Sequence, residues 1–181
     1  EELRRELADG PDPIVYTVAS SPVPELPREL TELCHAMLAK RADARPAMSA
    51  VLIASITELC AADHDNDPDR LAEWLANKTP SGVAAGFDNP DNTLVVAEHG
   101  GQIAAVGGFS ASREITLNYV APAHRFAGVS TALLEAMELE LGPGEARLNS
   151  TATARHFYLG RGWTEAGHRG IAGYPMRKLL G

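Results

Sequence analysis

The fold of this chain is decided by residues 119–130, which read YVAPAHRFAGVS. An apolar strand is predicted to stop at Pro122, and an amphipathic helix is predicted to follow the turn. The first backbone N–H groups of that helix have no partner within it, and with the helix dipole they form a site for an anion such as phosphate. Arg125 adds a positive charge, and Gly128 lets a ligand approach the backbone because glycine has no Cβ. An ordinary strand, turn and helix with a solvated arginine is the alternative interpretation of this segment.

A second pattern follows about thirty residues later, at 154–163, and reads A-x-x-F-Y-x-x-x-G-W. A predicted helix and a short predicted strand at 146–150 lie between the two patterns. The order V-x-P-x-x-R-x-x-G-x-S, helix, strand and A-x-x-F-Y-x-x-x-G-W resembles the GNAT superfamily of acyl-CoA-dependent N-acyltransferases. Two positions depart from that family: Ser130 stands where Gly or Ala is usual, and Thr153 stands where many members have Asn.

The rest of the sheet is predicted from three strands, 93–98, 102–109 and 114–120, which form an antiparallel meander leading into the turn. Ser130 or Thr131 is predicted to cap the helix after the turn. The resemblance implies an α/β (α+β) fold with a mixed, mostly antiparallel central sheet flanked by helices. It also implies that the strands splay apart at the acyl-CoA site.

The N-terminal region leaves its domain boundary open. In the division that we favour, residues 1–36 are an extension and residues 37–181 are a GNAT-type N-acetyltransferase domain. Its first strand then lies at 37–43 and its first helix at 47–60. The extension carries eight acidic and three basic residues, a net charge of −5.

Two other interpretations of this region remain. Apolar periodicity predicts a helix over 25–40 preceded by a strand at 14–18, which would be the first strand of the acyltransferase fold itself. Alternatively, residues 22–50 are a remnant of another domain, because 26–51 loosely resembles the C-terminal end of a protein kinase domain. Nothing of a kinase catalytic core is present in the sequence.

The resemblance implies acetyl-CoA as the cofactor, with coenzyme A as the product, because the R/Q-x-x-G-x-G/A turn of the family holds the pyrophosphate of coenzyme A. The backbone of residues 118–120 is expected to pair with pantetheine and to polarise the thioester carbonyl, at a bulge where the strand splays. The residues assigned to the cofactor are Asn118, Tyr119, Val120, Arg125, Phe126, Ala127, Gly128, Val129, Ser130, Thr131, Thr153 and His156.

Acyl transfer to an amine requires a neutral nucleophile, a donor for the oxygen that gains charge, and a proton for the leaving thiolate. Tyr158 matches the general acid of the family; a buried core tyrosine is the alternative. Glu114, at the start of the third predicted strand, is the best carboxylate for a base, unless it is only a solvated strand end.

An acidic loop lies between the predicted first helix and the sheet. Its alternating acids resemble the start of a calcium loop, but Pro68 replaces the required glycine and the twelfth position is Trp74, so no metal site is predicted. In the family this region lines the acceptor pocket, which makes Asp63, Asp65 and Trp74 candidates for holding an amine substrate. Asp67 is a further candidate, or the cap of the next helix.

Composition limits the classes of function. The net charge of −8 disfavours nucleic-acid binding, and no apolar run approaches the length of a membrane span. Two cysteines, Cys34 and Cys60, predict neither a disulfide framework nor a metal site and indicate a reducing, cytoplasmic setting.

Two functions therefore remain. The first is transfer of an acetyl group from acetyl-CoA to a primary amine of a small molecule or a protein, by direct attack in a ternary complex. The second is a non-catalytic acyl-CoA-binding module that serves as a sensor or a partner domain. The sequence leaves the acceptor unidentified, and it leaves a homodimer open.

Overall fold

The central sheet of the computed structural model, which describes residues 15–19, 45–99 and 102–181, contains seven strands. In chain order they are β1 (Val15–Ala19), β2 (Asn92–His99), β3 (Gln102–Ser110), β4 (Glu114–Val120), β5 (Gly144–Ser150), β6 (Thr164–Glu165) and β7 (Tyr174–Leu180). Across the sheet the order is β1-β2-β3-β4-β5-β7-β6, and among these strands only the β4–β5 pair is parallel. A mixed, mostly antiparallel sheet flanked by helices confirms the predicted fold class.

Helices cover both faces of the sheet. The described helices are α1 (Arg45–Leu59), α2 (Ala61–His64), α3 (Pro68–Leu75), α4 (Pro80–Asp88), α5 (Val129–Leu141) and α6 (Arg155–Leu159). Successive strand residues point to opposite faces, so Val96 packs with the buried side chains of α1 whereas Val95 packs with those of α5. The sheet thus lies between α1 and α5, and burial of these apolar faces stabilises the positions of both helices.

The β4–β5 pair separates soon after it begins. Only Glu114 and Ile115 of β4 are paired with β5, opposite Arg147 and Leu148, and the two strands splay apart beyond them. A register shift in the β3–β4 pair leaves Thr116 opposite no residue of β3. The predicted splay is therefore present. The predicted bulge at residues 118–120 is wrong, because those residues stay in register with β3 and the extra residue is Thr116.

Helix α5 begins directly after the turn. Its N-cap is Gly128, at φ +80°, and no side chain caps the helix. The prediction that Ser130 or Thr131 is the cap is wrong, because the left-handed conformation of Gly128 brings the chain into the helix earlier. The Thr131 hydroxyl instead accepts a hydrogen bond from the Arg161 guanidinium.

Two contacts fix where α5 lies on the sheet. A Cβ at Gly107 of β3 would lie 2.8 Å from the Met137 sulfur, so the glycine permits this close approach. At the end of α5, the Arg113 guanidinium donates hydrogen bonds to the carbonyl oxygens of Leu141 and Gly142, at 2.6 and 2.9 Å. These carbonyls have no partner within the helix, so the arginine serves as its C-terminal cap.

Strand β1 lies at one edge of the sheet, antiparallel to β2 over the whole of Val15–Ala19. The strand predicted at 14–18 is thus found, shifted by one residue. The strand predicted at 37–43, and the alternatives for 22–44, lie outside the described residues. Helix α1 covers most of the helix predicted at 47–60.

The boundary at residue 37 stays a prediction that truncation tests. If residues 37–181 form the domain, a chain starting at Met37 should melt near the full chain; if β1 is part of the core, loss of its pairing with β2 should lower the melting temperature by several degrees, at about 2–4 °C per kcal/mol for a domain of this size. A chain starting at Val15 keeps β1 and serves as the control, with a melting temperature near that of the full chain. Equal melting temperatures for both truncated chains, measured by circular dichroism, would establish residue 37 as the boundary.

The described helices contain no segment with both the length and the apolar character required to cross a membrane. Within the described ranges, no three His, Cys, Asp or Glu side chains are grouped so that they could hold a metal ion. Cys60 is a buried free thiol, and Cys34 lies outside the described residues.

Candidate functional site

A cleft of about 470 Å³ opens where β4 and β5 splay apart. We call it the main cleft. Its walls come from α1, from β4, from the turn and the start of α5, from β5 with the loop after it, and from α6. The lining residues are Ser55, Leu59, Cys60, residues 115–120, Arg125, Phe126, residues 128–131, residues 148–151, Thr153, Ala154, Phe157, Tyr158 and Arg161.

One wall of the main cleft is the free edge of β4. From Thr116 onward this edge has no partner on the β5 side among the described strands, whereas its other edge pairs with β3 as far as Val120. Because backbone groups of a strand point alternately to its two neighbours, some N–H and C=O groups of β4 face the cleft. An extended ligand can pair with them as an added strand does.

Another wall of the cleft is the turn before α5. Residues Pro122–His124 form one 3₁₀ turn, Arg125 is extended, and Phe126 and Gly128 both have positive φ, at +64° and +80°. Apart from its chain neighbours, no atom of the described residues lies within 4 Å of the position that a Gly128 Cβ would occupy. The turn thus leaves open space at the positive end of a thirteen-residue helix, beside the exposed Arg125. This arrangement binds phosphate groups well.

A second cation, which the sequence pattern did not indicate, lines the cleft beside the start of α5. Arg161 donates hydrogen bonds to the Phe157 carbonyl at 2.9 Å and to the Thr131 hydroxyl, and its guanidinium carbon lies 3.9 Å from the centre of the Phe157 ring. Its Nε is buried and has no partner among the described residues. Residue 161 falls at a variable position of the second pattern, so only the packing of α6 beside the start of α5 reveals it.

Tyr158 lines the main cleft from α6. The phenol is buried, packs against Trp163 and Phe157, and its oxygen accepts a hydrogen bond from the Asn118 amide at 3.3 Å. Burial raises the pKa of Tyr158 to about 12, and the Asn118 hydrogen bond opposes the shift. The hydroxyl therefore keeps its proton throughout the neutral range. The Asn118 Oδ1 is buried without a partner in the described part of the chain.

Residues of α1 and Tyr119 of β4 also line the main cleft, next to Cys60. Burial raises the pKa of the Cys60 thiol to about 11, with a further rise from the charge of Asp63. Burial also raises the pKa of Tyr119 to about 12, and the indole of Trp74 opposes that shift. Both groups are therefore neutral near pH 7, and Cys60 is a poor nucleophile there because only the thiolate reacts readily.

Most of the residues that the sequence assigned to the cofactor meet at the main cleft. Those that line it are Asn118, Tyr119, Val120, Arg125, Phe126, Gly128, Val129, Ser130, Thr131 and Thr153. Ala127 and His156 are not among the lining residues. Ser55, Cys60, Asn149, Phe157 and Arg161 line it without having been predicted.

The acidic candidates for amine binding do not line the main cleft. Asp63 accepts hydrogen bonds from the backbone N–H of Ala152, at 2.5 Å, and from the N–H and hydroxyl of Thr153. This carboxylate therefore holds the loop between β5 and α6. Asp65 is exposed and pairs with Arg70 at 2.7 Å. Asp67 caps α3 by accepting from two backbone N–H groups, as one interpretation predicted.

Trp74 and Glu114 are also outside the lining of the main cleft. Trp74 lies next to Tyr119 and packs edge-on against His64, with ring centroids 6.4 Å apart. Glu114 lines a neighbouring cavity of about 420 Å³ and accepts a hydrogen bond from the Asn149 amide at 3.3 Å. Asn149 and Leu148 line both cavities, whereas Glu114 lines only the neighbouring one. Among the described residues that line the main cleft, none is a carboxylate or an imidazole.

Comparison with known proteins agrees with the fold described above. The family model described as an acetyltransferase (GNAT) domain matches residues 45–180. No match is found among the curated proteins. A GCN5-related N-acetyltransferase from Rhodopseudomonas palustris superposes with a TM-score of 0.64 at 20% identity, over 78% of this chain and 91% of that one.

Two further solved structures share the fold. The PaiA N-acetyltransferase from Thermoplasma acidophilum, solved in complex with coenzyme A, has a TM-score of 0.61 at 14% identity, over 76% of this chain and 94% of that one. The apo form of YjaB from Escherichia coli has a TM-score of 0.57 at 17% identity, over 92% of this chain and 97% of that one. At these identities the likeness establishes the fold.

Proposed function

The chain belongs to the acetyltransferase (GNAT) domain family, and on that premise we propose that it transfers an acetyl group from acetyl-CoA to a primary amine by direct attack in a ternary complex. The observation that carries this proposal is one cleft lined both by a turn suited to phosphate and by a protonated phenol, Tyr158. The acceptor is an amine of a small molecule or of a protein.

The residues of the cleft fit acetyl-CoA. Gly128 leaves room for a pyrophosphate against the backbone, and Arg125 and Arg161 supply two positive charges beside it. The free edge of β4 can pair with the amides of pantetheine. When bound, acetyl-CoA supplies a thioester whose carbonyl carbon is open to attack by a neutral amine.

The protein then has two tasks, and water takes the proton of the amine. A backbone N–H of β4 stabilises the charge that develops on the carbonyl oxygen, since N–H groups at the splay have no other strand partner on that side among the described residues. Tyr158 donates its proton to the departing sulfur, and Asn118 holds the phenol in place. The amine loses its proton to water in the cleft; Glu114 faces the neighbouring cavity and can act only through intervening solvent.

An assay with a panel of amines tests the proposal. Acetylated product should form with at least one amine, at a rate that depends on both acetyl-CoA and the amine, and mass spectrometry would identify it. Direct attack also predicts that incubation with acetyl-CoA alone leaves the protein mass unchanged. An added acetyl group that is lost in the Cys60→Ser variant would replace direct attack with a covalent route through Cys60. Tight binding of acetyl-CoA without any acetylated amine would favour the non-catalytic module.

Arg161 gives a further prediction within this function. The Arg161→Met variant keeps an unbranched apolar side chain over Phe157 but removes the charge, and we expect its Kd for coenzyme A to rise about 10- to 150-fold, the effect of one charged hydrogen bond. Calorimetry measures the change. Arg177→Met, at an exposed position on β7, is the control and should bind like the wild type. Equal affinities for all three proteins would remove Arg161 from the phosphate site.

A further inference from the structure

Phe126 is exposed in an unusual conformation for its residue type. Its exposed fraction is 90%, and it is not part of the buried core on either face of the sheet. Its φ of +64° places it in the left-handed region, which is unfavourable for bulky residues. An aromatic ring in water and a left-handed backbone both work against stability, so the fold itself gives no reason for this residue.

The other non-glycine residues with positive φ in the described part of the chain have local reasons for it. Asp65 and Asn66 are of types that tolerate this region. Arg113 makes three hydrogen bonds to backbone carbonyls with its side chain. Phe126 has an aromatic contact with its own neighbour: the Arg125 guanidinium carbon lies 4.6 Å from the ring centre. One face of the ring therefore carries a cation, and the high exposure leaves the other face open.

Phe126 lies close to the place where the cofactor would bind. Phe126 lines the main cleft at the turn, two residues before Gly128. In coenzyme A the pyrophosphate links pantetheine to a 3′-phosphoadenosine. If pantetheine lies along β4 and the pyrophosphate lies on the turn, the adenosine lies beyond the pyrophosphate. The exposed ring of Phe126, which lines the cleft at this turn, is available to it there.

We propose that Phe126 is a stacking platform for the adenine base of coenzyme A, with Arg125 on the opposite face of the ring. Purine bases stack on aromatic side chains through their π faces, and this stabilises binding without base-specific hydrogen bonds. The left-handed backbone at residue 126 directs the ring outward from the turn, where it is available to the base. This inference rests on the proposed function, since it assigns a part of the acetyl-CoA site.

Two ligands separate the roles of the ring and of the turn. Coenzyme A contains the adenine, whereas 4′-phosphopantetheine keeps the pantetheine arm and one phosphate and lacks the nucleoside. For the Phe126→Gly variant we expect the Kd for coenzyme A to rise about 5- to 150-fold, the range of one base–aromatic stack, and the Kd for 4′-phosphopantetheine to stay within about twofold. Glycine accepts the left-handed backbone, so the variant should fold and melt like the wild type.

Controls make the result specific. Leu139→Ala removes another exposed apolar side chain, 81% exposed near the end of α5, and should leave both affinities unchanged. The Phe126→Trp variant keeps a platform and adds a reporter. Its fluorescence, after subtraction of the wild-type signal from Trp74 and Trp163, should be quenched by coenzyme A and unaffected by 4′-phosphopantetheine.

The outcomes are distinct. A Phe126→Gly variant that binds coenzyme A as tightly as the wild type, or that loses affinity equally for both ligands, overturns the stacking role while leaving the proposed function intact. A wild-type protein that binds neither ligand contradicts the proposed function, and the stacking role falls with it. The stacking role is supported if Phe126→Gly loses affinity for coenzyme A alone and if coenzyme A quenches the fluorescence of Phe126→Trp.

Discussion

Replacing Tyr158 with phenylalanine is expected to lower kcat by about 10²-fold, near the lower end of the 10²–10⁴-fold range for loss of a general acid. The substitution removes one oxygen from a buried ring and keeps its contacts with Phe157 and Trp163. KM for acetyl-CoA should change little, because the proton is needed only in the transition state. Steady-state kinetics with the amine identified by the panel would measure both parameters.

The low end of the range follows from the pKa of the phenol. Burial raises the pKa of Tyr158 to about 12, above its ordinary value near 10, so the phenol is a weaker acid than a solvated tyrosine. A thiol has a pKa of about 8.5 and can leave as the anion at a modest cost. The raised pKa also means that the acid form persists as the pH rises. Wild-type kcat should therefore show no alkaline loss below about pH 10 from this group.

Two variants test whether the fall in kcat of Tyr158→Phe comes from the loss of its hydroxyl proton. Tyr174→Phe makes the same change on β7, where the ring lies beside Arg155 and Arg169 and outside the main cleft, and should leave kcat unchanged. Asn118→Leu removes the hydrogen bond that positions the phenol and should lower kcat less than Tyr158→Phe does. Wild-type kcat for Tyr158→Phe at every pH would reduce Tyr158 to a packing residue and leave protonation of the thiolate to water.

Much of this site follows from local sequence. The turn at 119–130 and the tyrosine of the second pattern are each defined by neighbours in the chain, so residue types and spacing are sufficient to predict them. Both line the main cleft, and their roles in binding and catalysis stay predictions. The meander β2–β3–β4 was predictable for the same reason, since alternating apolar residues and short turns are local signals.

Local patterns are least informative where distant segments meet. Asp63 stays a predicted amine ligand by residue type, but its oxygens accept hydrogen bonds from the loop at 152–153, about ninety residues later, which no local pattern indicates. Arg161 was not predicted as a cleft residue because its place there depends on helix α6 lying beside Thr131. The helix cap was misassigned because serine and threonine are common caps, whereas here the backbone conformation of Gly128 starts the helix.

The Gly128→Val variant is expected to lose at least about 100-fold in affinity for acetyl-CoA, the effect of losing one or two charged hydrogen bonds. The new side chain occupies the open space that a pyrophosphate would use, since no described residue beyond the chain neighbours comes within 4 Å of its Cβ. A branched side chain at φ +80° is also strained, and we expect the free energy of unfolding to fall by about 1–2 kcal/mol. Calorimetry and thermal denaturation measure the two effects separately.

The matched control is Gly142→Val, at the other end of the same helix. Gly142 also has a positive φ, +64°, and the space around its Cβ position is equally open among the described residues, but it lies outside the main cleft. Its substitution should destabilise the fold at least as much, because the backbone there is accessible mainly to glycine. Affinity for acetyl-CoA should nevertheless stay at the wild-type value. If both variants lose affinity in proportion to their loss of stability, strain alone explains Gly128→Val; if a folded Gly128→Val binds normally, the phosphate site is not at this turn.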